Sequence, residues 1–218
     1  MSVQALAQKL DVSPSNITRL LQTLRDAGYV EKSGISNHYI LSNKFYVVAN
    51  NLLSSNDCVQ KYMSTAYRVS EKLSAGVAIN SMQGNCSVVL FHVTGHFERI
   101  ERFIGNLVPA YCSSSGKAML SQFSSEALAN FVKDLEFERF RENTITDLKQ
   151  LLQEVELAKK DGYAIDREER YAGVMSFSIP LTAFAQLYAF TVIMPSNRQR
   201  ELFSSKTIEY VRSCIEKT

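Results

Sequence analysis

Val3-Gln4-Ala5-Leu6-Ala7-Gln8-Lys9-Leu10-Asp11-Val12-Ser13-Pro14-Ser15-Asn16-Ile17-Thr18-Arg19-Leu20-Leu21 is the stretch from which the fold follows. Val3, Leu6, Ala7 and Leu10 recur at i, i+3, i+4 and i+7, which makes one apolar helical face. Ser2 is placed to cap its start. Asp11 falls where the chain must turn, and aspartate tolerates positive φ better than most residues. Ser13 followed by Pro14 has the order of an N-cap and a first helical position. A second helix then buries Ile17, Leu20, Leu21 and Leu24 and stops near Gly28, which suits a left-handed cap. Helices joined by so short a turn cross steeply, as in a helix–turn–helix.

The outward face of the second helix carries Ser15, Asn16, Thr18, Arg19, Gln22 and Thr23, with Ser13 at its start. These side chains are short or forked and rich in hydrogen-bonding groups, which suits base edges and phosphates. Tyr29 to Lys32 and His38 to Leu41 read as two short strands around the turn Ser33-Gly34-Ile35-Ser36. A hairpin after a recognition helix is a wing, and Lys32 and His38 are its phosphate-contact candidates. The competing reading is a small helical subdomain used for protein contacts. Residues 1–44 carry a net charge of only +2, so a single copy has weak non-specific affinity for DNA. Phosphate contacts dominate such affinity, so two or more copies are expected to bind together.

The whole chain of 218 residues has a net charge of +2 and 45% apolar residues. That allows real cores and gives no strong overall field. No apolar run approaches the roughly 20 residues that a membrane span needs, and the first ten residues lack a signal-peptide pattern. Four cysteines lie far apart without a C-x-x-C pair, which gives no support for zinc or redox sites. A cytoplasmic protein without cofactors is the expectation.

Ser42 can cap a helix holding Phe45, Val48, Ala49, Leu52 and Leu53, which pairs with its copy in a partner subunit or packs under the wing. The boundary falls near Ser55: residues 1–42 are the winged helix–turn–helix, 43–55 a linker helix and 56–218 a second domain. Asp57 caps a helix running through Leu73. Beyond Gly76, strands are expected over Val77–Asn80, Ser87–His92, Arg99–Phe103, Tyr163–Asp166, Ser176–Pro180 and Leu187–Met194. Helices are expected over Lys117–Gln122, Ser124–Leu135, Thr146–Asp161 and Arg200–Ile215. The class is α+β, an antiparallel-rich sheet with helices on it.

Little catalytic chemistry stands out. Ser114 and Lys117 have the S-x-x-K spacing of acyl-transfer enzymes, but the companion S-D-N and K-T-G are absent. Tyr111 and Ala118 break a P-loop pattern. His92 and His96 lack the surroundings of a zinc motif. Asp166, Glu168 and Glu169 suit a solvated acidic turn better than a carboxylate pair. The run Ser113-Ser114-Ser115-Gly116 opens a helix, where free N–H groups and the helix dipole favour an anion such as a carboxylate. A serine cap without a ligand is equally compatible.

Val108-Pro109-Ala110-Tyr111-Cys112-Ser113-Ser114-Ser115-Gly116-Lys117-Ala118-Met119-Leu120 resembles the effector-domain signature of the IclR (isocitrate-lyase-regulator) family. Asp161-Gly162-Tyr163-Ala164-Ile165-Asp166, continuing through Glu169 and Gly173-Val174 to Ser176-Phe177-Ser178-Ile179-Pro180, resembles a second block of that family. Leu6 to Val30 resembles its DNA-reading unit. The resemblance implies a GAF-like effector domain, a homodimer or homotetramer on a palindromic operator in double-stranded DNA, and control of catabolic genes, as by a repressor. The implied effector is a small organic or sugar acid. Its implied contacts are Ser113, Ser114, Ser115 and Gly116 at the turn, Asp166 as a polar wall, and Ser176, Thr191 and Ile193 on strands. Phe97, Ile100 and Val108 match the apolar wall. The family pattern has a further helix ahead of Val3 that this chain does not show. The alternative is therefore a ligand-binding sensor without DNA binding. The usual turn glycine is Asp11 here. Cys112, Ser114 and Ser115 replace small apolar or glycine residues of the signature.

Overall fold

Most helix starts in this computed structural model are set by the side chain just ahead of them. The structure describes residues 1–95, 104–182 and 184–218. The chain divides into two units, Met1–Asn56 and Asp57–Thr218.

In the first unit, Ser2 caps α1 (Val3–Leu10) by accepting from Ala5 N, and Asp11 closes it at φ 52 in the left-handed region. Ser13 caps α2 (Pro14–Asp26), with Pro14 in the first turn. Gly28 follows at φ 77. The wing is β1 (Val30–Lys32) paired antiparallel with β2 (Tyr39–Leu41), Lys32 opposite Tyr39. Ala7, Ile17, Leu21 and Val30 form the core, with Val3, Leu6, Val12 and Tyr39 at its edge. Leu20 and Leu24 depart from expectation and are 54% and 43% exposed. Their spacing puts them on a helical stripe, but the small core takes only Ile17 and Leu21 from α2.

α3 (Lys44–Ser54) begins one residue later than expected, with Asn43 at the cap position. Ser42 accepts from Lys44 N, and its hydroxyl also donates to Gly28 O. Lys44 Nζ donates to Ala27 O at 2.6 Å and lies 4.5 Å from the centre of the Tyr29 ring. Phe45 meets Tyr29 edge-on at 5.4 Å. The C-terminal end of α2 is thereby tied to the start of α3. No residue of α3 is buried.

The second unit opens with α4 (Asp57–Leu73), followed by the hairpin β3 (Gly76–Gln83) and β4 (Cys86–Val93). A short edge strand, β5 (Leu107–Pro109), pairs with β4. The strand expected over residues 99–103 lies outside the described residues. Then come α5 (Ser114–Leu120), α6 (Ser125–Val132) and α7 (Leu148–Asp161). α5 starts three residues earlier than expected because Ser113, not a later residue, is its cap. α6 ends three residues short of Leu135. α7 begins at Leu148 because Asp147 caps it, and Gly162 stops it at φ 75. The strands β6 (Ala164–Arg167), β7 (Val174–Leu181) and β8 (Tyr188–Pro195) follow. The last expected helix is broken in two, α8 (Gln199–Leu202) and α9 (Ser205–Glu216), because Ser204 caps a new start.

The sheet order is β5-β4-β3-β8-β7-β6, antiparallel at every pairing. Pro180 lies beyond the part of β7 that β6 pairs, which ends at Ser178, and is opposite Ala189 of β8. Alternation along the strands divides the faces. Val77, Ile79, Phe177, Ile179, Phe190, Val192 and Met194 pack against Tyr62, Ala66 and Val69 of α4 and Ile208, Val211 and Cys214 of α9. The opposite face is covered in part by α5, and there the side chains turn polar.

Candidate functional site

On the sheet face under α5, hydroxyls replace hydrocarbon. Ser114 Oγ lies 2.7 Å from Ser176 Oγ and 2.8 Å from Ser178 Oγ. Ser178 Oγ lies 2.9 Å from Thr191 Oγ1, which donates to Asn80 Oδ1 at 2.8 Å. All five side chains are buried. Hydroxyls both donate and accept, so one line of them stays satisfied in the dry interior. Pairing in the sheet explains the convergence: Ser178 is opposite Thr191, Thr191 is opposite Ala78, and Ser176 is opposite both Ile193 and Asp166. Ile193 packs with Ala78, Val89 and Val174 beside the hydroxyl line.

The structure places Ser114, Asp166, Ser176, Thr191 and Ile193 at one sheet face. The other described residues of the expected set make contacts away from this line. Ser113 accepts from Gly116 N as the helix cap. Ser115 turns to Ser87, Oγ to Oγ 2.8 Å. Gly116 is a packing residue, since a Cβ there would lie 2.3 Å from Ala110 Cα. Val108 packs with Tyr111, Leu120, Ile145 and Val155 rather than with Ile193. Phe97 and Ile100 lie outside the described residues. Asn80 and Ser178 were not singled out. Their signals were a lone amide ending the apolar run Val77-Ala78-Ile79, and a serine two positions from Ser176, hence on the same face.

The acidic turn is not solvated. Asp166 is 3% exposed and Glu169 4%. Glu169 N donates to Asp166 Oδ1 at 2.9 Å, and Glu169 Oε1 accepts from the fully buried Lys117 at 2.6 Å. Glu154 on α7 is a second, longer partner of Lys117 at 3.5 Å. Burial pushes the Glu169 carboxyl up to about 7, with Lys117 opposing and Asp166 assisting. Burial, then the Asp166 and Glu169 charges, push the Cys112 thiol up to about 12, so it stays protonated. Ser114 and Lys117 do not form the S-x-x-K pair, since the lysine is spent on glutamates and the serine on other hydroxyls.

The first unit presents a different surface. Ser13, Ser15, Asn16, Thr18, Arg19 and Gln22 are all exposed on α2, and Lys32 and His38 on the wing. Several are already engaged. Thr18 Oγ1 donates back to Pro14 O, Thr23 Oγ1 to Arg19 O, and Gln22 Nε2 to Asp26 Oδ1. Ser13 Oγ holds Asn16 N and meets Ser15 Oγ at 3.1 Å. Asn16 and Arg19 keep their side-chain donors turned outward.

The helix-turn-helix model of the IclR family matches residues 1–34, and the model for the C-terminal domain of IclR bacterial transcriptional regulators matches residues 50–218. The chain is 24% identical over 182 residues to the HTH-type transcriptional regulator KdgR of Escherichia coli, covering 83% of this chain and 69% of KdgR. It is 24% identical over 219 residues to the DNA-binding transcriptional repressor YiaJ of Escherichia coli, covering 97% and 77%. The Thermotoga maritima IclR structure matches with a TM-score of 0.72 at 22% identity, over 100% of this chain and 87% of that one. An IclR homologue from Microbacterium hydrocarbonoxydans, complexed with 4-hydroxybenzoate, matches with a TM-score of 0.79 at 16% identity, over 99% and 88%. At these identities the structures speak to the fold.

Proposed function

We infer the function from one premise: the chain belongs to the IclR family of bacterial transcriptional regulators. It is a DNA-binding transcription regulator, not an enzyme. No described helix is long and apolar enough to cross a membrane. Its proposed division of labour is DNA reading by residues 1–42, linkage by 43–55 and effector sensing by 56–218.

Asn16 and Arg19 are proposed to read base edges from α2, with Ser13, Ser15, Thr18, Gln22, Lys32 and His38 on phosphates. What supports this is the outward, unengaged state of the asparagine and arginine in the first half of the helix, the part that enters the groove. The readers act in pairs on a palindromic site. The largely exposed α3, with Tyr46 78% and Leu52 66% exposed, suits burial against the same helix of a second copy.

The effector is proposed to be a small acid, and one observation carries this: the buried hydroxyl line from Ser176 through Ser114 and Ser178 to Thr191. Hydroxyls can turn to donate to a carboxylate. Asp166 on the same face accepts, so it favours an acid that also brings an O–H, as a sugar acid or hydroxy acid does. The 4-hydroxybenzoate held by the Microbacterium homologue is of that general kind. Binding would shift the populations of subunit arrangements and so the separation of recognition helices on the operator. Repression relieved by the acid is the proposed sense of control.

A thermal-shift screen over carboxylic, hydroxy and sugar acids tests the effector site. Stabilisation by a hydroxy acid, lost in Ser176→Val, is expected. No stabilisation by any acid would overturn it.

A further inference from the structure

The wing carries a side chain for which its own unit has no use. Ile35 stands at the hairpin tip and is 101% exposed, the most exposed large apolar residue described. Its position is braced. Ile35 N donates to Ser33 Oγ at 3.3 Å, Ser33 N donates to His38 O at 2.8 Å, and Ser36 Oγ lies 2.9 Å from His38 Nδ1. The strands close directly behind the turn, at the Lys32–Tyr39 pair. The isoleucine is therefore held outward on an ordered tip.

Turn chemistry argues against an isoleucine there. Tips favour glycine, asparagine, aspartate, serine and proline, each for a backbone reason. A β-branched side chain gains most on a packed, pleated surface. Here it gains nothing inside the fold, and such local departures are where function concentrates. The neighbours narrow the occupant. Ser33 to Asn37 contain no cation, so the tip is not built for the usual arginine in a narrow groove. Lys32 and His38 flank it one step back, both exposed and able to meet phosphates on either side. The tip belongs to the same unit as Asn16 and Arg19, and all three side chains are exposed.

We propose that Ile35 is an apolar wedge that enters the minor groove beside the recognition helix, opens a base step and bends the operator. This rests on the reading of α2 and the wing as the DNA face. Wedging side chains of this kind part stacked bases and kink the duplex toward the major groove. Steps that unstack readily, TA and CA/TG, are then preferred at one fixed offset from each half-site, without hydrogen bonds to them.

The test uses the full chain and a duplex selected by the wild-type protein from a random-sequence library. End-to-end energy transfer reports the bend, and 2-aminopurine at the contacted step reports unstacking. The wild type should bend the duplex and brighten the probe. Ile35→Ser should lose both signals and weaken binding by about 10-fold, the scale of one disfavoured base step. Ile35→Leu should keep both. An unbent duplex bound by the wild type overturns the wedge while leaving the DNA face standing. So does an unchanged bend in Ile35→Ser. Recovery of no duplex at all overturns both readings. A change of oligomeric state in Ile35→Ser, seen by light scattering with the bend retained, assigns Ile35 to a subunit contact and overturns the wedge.

Discussion

Lys117 Nζ lies 2.6 Å from Glu169 Oε1, and neither side chain is more than 5% exposed. A buried cation and a buried carboxylate, contributed by α5 and by the chain after β6, close the polar side of the sheet. Such a pair adds little net stability, but losing one partner leaves a charge stranded in a dry interior. Lys117→Met is therefore expected to cost about 3–5 kcal/mol. The pH dependence has a defined sign. The Glu169 carboxyl, ordinarily near 4.5, is raised to about 7 by burial. Folding therefore favours its protonated form, and its contribution to stability falls as pH rises through that window. Without the lysine the penalty on the charged form grows. Lys117→Met should thus lose more stability at pH 8 than at pH 5, measured by urea unfolding. Equal losses at both would contradict it. Lys117→Met with Glu169→Leu should recover most of the loss.

Gly116 gives a steric prediction. A Cβ would lie 2.3 Å from both Ala110 Cα and Ala110 O, which are backbone and cannot step aside. Gly116→Ala must push α5 off the short 3-10 turn Ala110–Cys112. The expected loss is about 3 kcal/mol, the upper end for overpacking. An unaltered melting temperature would show that α5 sits elsewhere.

Thr191 is the donor for Asn80 Oδ1 and a neighbour of Ser178. Thr191→Val keeps shape but strands the amide oxygen. A destabilisation of about 1–3 kcal/mol is expected. Thr191→Ser, which keeps the hydroxyl, should restore most of it in the same unfolding assay.

Arg19→Ala should weaken binding to a selected duplex by a factor of about 5–150, the range for one good base contact. Thr18→Ala should do far less, because that hydroxyl already donates to Pro14 O. Equal effects in a gel-shift titration would remove the base-reading role given to Arg19.

Lys44→Met removes the donor to Ala27 O and the charge over the Tyr29 ring. A loss of about 1 kcal/mol is expected in the first unit. Hydrogen exchange at the last turn of α2 should quicken. Unchanged exchange there would mean that Lys44 does not hold that helix end.

The sequence by itself determined most of the elements. Ser2, Asp11, Ser13 with Pro14, and Gly162 act within one turn of their own position, so capping and stopping are local and largely legible, although Asp147 as the cap of α7 was not singled out. The resemblance to the family implied Ser176, Thr191 and Ile193 as a group, and the pairing of two strands in space is what sets Ser176 opposite Ile193. The family's three ordered blocks were legible as short runs. Burial and partnership were not. Whether Leu20 and Leu24 are covered depends on what reaches them from elsewhere in space. The acidic run after β6 has the composition of a solvated turn, and only Lys117, 52 residues away, makes it an interior ion pair. Ser113, Ser114, Ser115 and Gly116 look alike as a run. Ser113 is a local cap, but tertiary structure alone gave Ser114 a place in the hydroxyl line, Ser115 a contact to Ser87 and Gly116 its close approach to Ala110. A helix turns each successive residue by about 100°, and each direction meets a different neighbour.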